Sequence, residues 1–158
     1  MWVVVFRFYN FCIRMHTMTT TLTPFIRFND NKGTEGMNFY TSVFGGTLET
    51  MLVKDSPMAK DMPEEKQNNI MHSILTAGPI TFVGMDMMQD KATIGDNVGM
   101  SLNLESEQQL RDIFAKLSEG GNVFMAPEPT FWGAIFGVVT DKYGVEWMLN
   151  FQVEPMKS

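Results

Sequence analysis

From Leu22 onward the chain reads as a strand, a helix and three strands, and then the same order begins again. This repetition constrains the fold more than any other feature. A βαβββ unit leaves an apolar sheet face that its helix and a second unit must cover. In the first copy, LTPFIRF sets Leu22, Pro24, Ile26 and Phe28 against Thr23, Phe25 and Arg27. GTEGMNFYTSVFGG follows as a helix with a Met37, Tyr40, Phe44 stripe, and Gly45-Gly46 stops it. TLETMLV is the second strand, and a hairpin through Ala77-Gly78-Pro79 supplies the third and fourth. In the second copy, NVGMSLNLE is the strand, EQQLRDIFAKLSEGG the helix, and NVFMAPEP a strand expected to break at Pro127 and Pro129. The last hairpin, TFWGAIFGVVTDKYGVEWMLNF, is read as two strands, the first beginning at Phe131 and Trp132. Ser106 is the expected N-cap of the second helix, with Gln109 as its capping-box partner.

The two copies keep a register. Phe39 and Phe114 are 75 positions apart (114 − 39), and so are the glycine pairs at 45–46 and 120–121 (120 − 45). Residues 54–69 are a polar insertion in the first copy alone. One conflict remains. A spacing of 75 pairs Thr23 with Val98, yet alternation places Val98 with Met100, Leu102 and Leu104 on the apolar face, opposite Gly99, Ser101 and Asn103. A one-residue difference at a strand–helix junction would reconcile the two.

Residues 18–158 are read as one domain, with modules at about 22–88 and 97–151. Residues 1–17 are read as an N-terminal extension. MWVVVFRFYNFCIRM is interrupted by Arg7, Asn10 and Arg14 and has no small-residue cleavage site, which is not the pattern of a secretory signal. The net charge of −6 argues against a nucleic-acid partner, since phosphate binding needs a basic face. No apolar run is long enough to span a membrane. Cys12 is the single cysteine, so no intrachain disulfide can form, which fits a cytoplasmic location.

Four stretches carry a resemblance: TPFIRF, NFYTSVFGG, IMHSILTAG and FWGAIFGVVTDKYGVEWMLNF. Over residues 22–151 the chain resembles the vicinal-oxygen-chelate superfamily of glyoxalases, bleomycin resistance proteins and dioxygenases. It looks closest to the PhnB-like branch, also labelled demethylubiquinone-methyltransferase-like. The resemblance implies an α+β fold whose tandem βαβββ modules form a cupped, incomplete barrel with helices on the outside and ligand inside. It also implies a homodimer. Metal-dependent relatives draw ligands from the first and last strands of each module. Those positions fall near Phe25, Phe82 to Gly84, Gly99 and Met148, none of which suits a divalent ion. The expectation is therefore no cofactor, with a displaced metal site at Glu146, His72 and Asp86 as the alternative.

The expected ligand pocket comprises Arg27, His72, Ser101, Asn103, Trp132, Glu146, Met148 and Asn150. Arg27 and Glu146 are candidates for a pair across the cup, or for two separate solvated charges. His72 is read first as a hydrogen-bonded interior histidine and second as a pocket acid or base. Trp132 either caps the cavity with Phe131 or joins an aromatic core. Met85, Met87, Met88, Met100 and Met148 are core filling or an adaptable lining. No catalytic residue can be singled out. No nucleophile elbow, phosphate loop or GxGxxG after a strand is present, so cofactor-dependent methyl transfer has no visible machinery. The leading function is binding of a small polar or aromatic molecule without metal. A metal-dependent lyase, isomerase or dioxygenase is the second reading, and a structural dimeric module with a filled cup the third.

Overall fold

The computed structural model of the protein describes residues 20–153, so the reading of residues 1–17, with Cys12 and His16, lies outside the described residues. The elements are β1 (Phe25–Phe28), α1 (Gly33–Phe44), β2 (Thr47–Leu52), β3 (Ile70–Ala77), β4 (Ile80–Asp86), β5 (Met100–Asn103), α2 (Glu107–Ser118), β6 (Asn122–Pro129), β7 (Ala134–Thr140) and β8 (Glu146–Gln152). They form two unclosed four-stranded sheets in the orders β1-β4-β3-β2 and β5-β8-β7-β6, each opening with a parallel pair. This is the expected α+β tandem. Three short 3-10 turns, at Val53–Asp55, Pro57–Asp61 and Glu64–Lys66, occupy the insertion of the first copy, pinned by the buried Val53.

Helix α2 begins where Ser106 Oγ accepts the Gln109 N–H at 3.1 Å. Gln109 Oε1 reaches back to the Glu105 N–H at 3.0 Å, one residue before the position a capping box would use. Helix α1 has no capping side chain of its own. Its first amide, on Gly33, instead donates to Asp86 Oδ1 at 2.7 Å, across the sheet end. It ends at Gly45, whose φ of 72° favours glycine.

The buried stripes of both helices merge into one core. Met37, Tyr40 and Val43 join Leu110, Ile113, Phe114 and Leu117, with Ile26, Phe28, Phe82, Trp147 and Leu149 from the two sheets. Tyr40 packs on Phe82 of the first sheet at 5.2 Å and on Trp147 of the second at 5.9 Å. Each fully buried large side chain contributes about 1.5–3 kcal/mol. Because both sheets turn their helix-bearing faces to this core, their other faces look away from it.

The face assignments of β1 and β5 hold, and β8 alternates in the same way. Ile26 and Phe28 are buried, Leu102 packs on the core, and Trp147 and Leu149 are at most 2% exposed. Ile26 and Leu102 are 76 apart (102 − 26), an even separation, so the odd spacing of the glycines does not carry into the strands. The helices themselves start 74 apart (107 − 33). The junctions absorb the difference. Two boundaries depart from expectation. β6 runs through Pro127 to Pro129, because it is the sheet edge, where a missing N–H is tolerated and register shifts absorb the bends. Phe131 and Trp132 lie in the turn before β7, closed by Gly133 N–H to Thr130 O, and not in the strand.

Candidate functional site

The sheet faces that look away from the core carry most of the expected pocket. On the second sheet, Ser101 faces Met148 and Asn103 faces Asn150 across the β5–β8 pair, and Asn150 Nδ2 donates to Asn103 Oδ1 at 3.1 Å. Glu146 lies on the same face, half-buried over Gly99: its Oε1 is 3.0 Å from where a Cβ on that glycine would stand. Five of the eight expected residues thus share one face. Trp132 is apart from them in the β6–β7 turn. It is 41% exposed and packs edge-on against Phe131 at 4.8 Å and Phe136 at 5.8 Å. Phe131 is 98% exposed, so the pair forms neither aromatic core nor cavity cap within the chain.

Arg27 and His72 lie on the open face of the first sheet. His72 is exposed opposite Met51, which corrects the expectation of an interior histidine. A bulge in β2 at Met51 and Leu52 turns the strand there. Arg27 is exposed at the outer edge of the sheet and lies over the Phe25 ring at 5.8 Å. It makes no ion pair with Glu146. The two line different clefts, which share Ile94, Gly95 and Gly144 as a common wall.

The larger of these clefts, about 710 Å³, is where the two modules meet at their edges. Phe25 and Arg27 of β1 form one side, Met100 of β5 and Tyr143 of the β7–β8 turn the other, and the segment from Met87 to Val98 runs over it. Val83 N–H to Pro24 O and Met87 N–H to Phe28 O extend the β1–β4 pairing at both ends, which fixes Arg27 between them. Asn29 holds the overlying segment by a two-way bond with the Ala92 backbone, at 3.0 and 2.8 Å.

The donor set expected for a displaced metal does not converge. Asp86 is 1% exposed on the helix-bearing face, and its two oxygens accept the Gly33 and Ile70 amides at 2.7 Å each. His72 is on the opposite face of that sheet. Among the described residues no three His, Cys, Asp or Glu side chains could hold an ion together. These residues do not fit a metal, and Asp86 is a structural carboxylate.

Sequence reasoning missed Asp141. It is 4% exposed, and its Oδ2 accepts Tyr40 Oη–H at 2.7 Å and Trp147 Nε1–H at 2.8 Å. Its Oδ1 accepts the Tyr143 and Val145 amides at 2.8 and 3.1 Å. Burial, then the Asp141 charge, push the Tyr40 phenol far above its ordinary value. Burial and the bond to Glu35 push Tyr143 up as well. An aspartate two residues before a turn amide is an Asx-turn signal, so the backbone half of this role was visible. The Tyr40 contact, 101 positions away, was not.

Tandem βαβββ modules in two unclosed sheets define a glyoxalase-fold protein. Residues 20–150 match the family described as 3-demethylubiquinone-9 3-methyltransferase, and the chain belongs to that PhnB-like family. It is similar to the crystal structure of protein PA1353 from Pseudomonas aeruginosa, at 33% identity and a TM-score of 0.70 over 84% of this chain and 98% of that one. A PhnB protein from Bacillus cereus matches at 24% identity and a TM-score of 0.67, over 84% of this chain and 99% of that one. Protein YjdN of Escherichia coli (strain K12) is 27% identical over 139 residues, covering 82% of this chain and 93% of that protein. No helix among the described residues is long and apolar enough to cross a membrane.

Proposed function

We propose that this protein binds a small organic molecule without a metal ion, at the module junction beside Arg27, and that it works as a homodimer whose second copy covers the open sheet faces. The cleft of about 710 Å³ carries this reading, because it is walled by both modules and mixes apolar with polar groups. Its size is that of a small-molecule site. The dimer is supported by what the single chain leaves in water: Phe25, Met51 and Trp132 are each more than 40% exposed. The polar row Ser101, Asn103, Glu146, Met148 and Asn150 lies on one of the open sheet faces that the second copy would cover. The family description names a methyl transfer. The chain has no glycine-rich nucleotide loop after a strand to hold a methyl donor, so binding is the better-supported function.

Native mass spectrometry of the whole chain tests these points together. The expected species is twice the 18.0 kDa chain, carrying a co-purified organic mass and no divalent ion. A stoichiometric ion lost in Glu146→Gln would overturn the metal-free reading. A monomer at micromolar concentration would overturn the dimer.

A further inference from the structure

We infer that the ligand of this junction cleft is an apolar acid, an aromatic or aliphatic body bearing a carboxylate, with Arg27 as its anchor. This rests on the small-molecule reading above and gives it a charge class. The chain is acidic overall, at −6, yet among the described residues no Asp or Glu side chain lines the cleft, whereas Arg27 and Lys91 both do. The two cations are not equivalent. Lys91 Nζ is already paired with Asp30 Oδ1 at 2.8 Å, and that contact holds the Asp30 carboxyl below its ordinary value. Arg27 has no carboxylate partner among the described residues and meets only the face of Phe25. A guanidinium held over a ring keeps its N–H edge free to take both oxygens of a carboxylate. The rest of the wall is apolar: Phe25, Met87, Ile94, Val98 and Met100. The phenol of Tyr143 is turned to Glu35 at 3.0 Å, so that residue offers the cleft its ring. An acid head and an apolar body match this division, and a cationic ligand would meet the Arg27 guanidinium.

The test uses three probes of one shape, 4-phenylbutyrate, 4-phenylbutan-1-ol and 4-phenylbutylamine, titrated into the isotopically labelled whole chain and followed by amide chemical shifts. The acid is expected to bind at least fivefold more tightly than the alcohol, with the amine weakest, and to perturb residues 25–28, 87–98 and 143–145. Arg27→Ala is expected to erase the preference for the acid while leaving the alcohol's affinity within twofold. Arg27→Lys is expected to restore part of it. Arg27 is exposed, so these variants are expected to retain a dispersed amide spectrum. If the acid and the alcohol bind this cleft equally, the charge class is wrong and the small-molecule reading stands. If none of the probes perturbs the cleft, both fall.

Discussion

Two tyrosine–carboxylate bonds cross between the modules, in opposite directions, and they live in different surroundings. Tyr40 of the first module donates to Asp141 of the second at 2.7 Å, inside the core. Tyr143 of the second donates to Glu35 of the first at 3.0 Å, at the surface. The chemistry is the same and the solvent differs. Around Asp141 no water competes, every oxygen lone pair that matters is used, and loss of one partner strands another. Around Glu35 water replaces whatever is removed, and Lys32 at 2.9 Å and Lys142 at 3.7 Å already share the carboxylate. The inner bond therefore holds the modules together, and the outer one adjusts the cleft wall that Tyr143 forms.

The largest effect belongs to the hub. Asp141→Ala leaves the Tyr40 hydroxyl and the Trp147 indole N–H buried without an acceptor and frees two turn amides. The expected loss is about 3 kcal/mol or more in chemical denaturation. A loss under about 1 kcal/mol would mean that water enters there and that the two tyrosine bonds are alike after all. Next is Gly36→Ala. A Cβ at Gly36 would run into the Phe28 ring, which packs edge-on against Tyr143 at 5.4 Å and lies 6.3 Å from Tyr40. Shifting that ring disturbs both bonds at once, at an expected cost of about 2 kcal/mol. Ala normally favours a helix over Gly, so a stabilised variant would show that Phe28 moves freely.

Tyr40→Phe isolates the inner bond, since Asp141 keeps Trp147 and the two amides. About 1 kcal/mol is expected. Its pH signature has a definite sign. Folding raises the Tyr40 phenol above the ordinary 10.0, chiefly by burial and then by the Asp141 charge. Its contribution is complete below pH 10.0 and declines as pH rises past it, so the native protein resists alkali until it unfolds as a whole. Phenolate absorbance should show that Tyr40 ionises only together with unfolding. A phenolate at this position in the folded protein would contradict the burial argument.

What was legible in the sequence divides along the same line. Alternation placed Arg27 opposite Ile26 and Phe28, and it placed Ser101 and Asn103 opposite Leu102, because a period of two follows from the strand alone. The Ser106 cap was legible because it acts over three residues. The surroundings of Arg27 were half legible: its face was read correctly, but not its nearness to Met100 and Tyr143, which come from the other module. Asp86 was read only as a candidate ligand of a displaced metal, and Asp141 was not singled out within the last hairpin, because each stands at a strand end. The Gly33 and Ile70 amides on Asp86, and the Tyr40 hydroxyl and Trp147 indole on Asp141, are assembled by the fold, and no local pattern announces them. His72 was misjudged because a polar residue in an apolar strand reads as interior until the far side of the sheet is known to be uncovered.

The smallest effect is the one that tests the outer bond. Tyr143→Phe is expected to leave the denaturation midpoint at neutral pH within error of the parent, because Glu35 retains its lysines and its water. The bond should still be visible through acid. The Glu35 carboxyl is held below its ordinary 4.5 first by the Lys32 hydrogen bond and then by the one from Tyr143. A depressed carboxyl stabilises the fold above the unfolded value and loses that contribution as pH falls through the folded one. Removing the Tyr143 hydroxyl should therefore move the Glu35 titration, followed by its side-chain carbonyl resonance, upward toward 4.5 without reaching it. In Lys32→Ala the same substitution should produce a larger share of the remaining shift. If Tyr143→Phe leaves the titration where it was, the outer contact is a crossing of side chains and not a bond, and Tyr143 is positioned in the cleft by its ring packing against Phe28 and Phe39 alone.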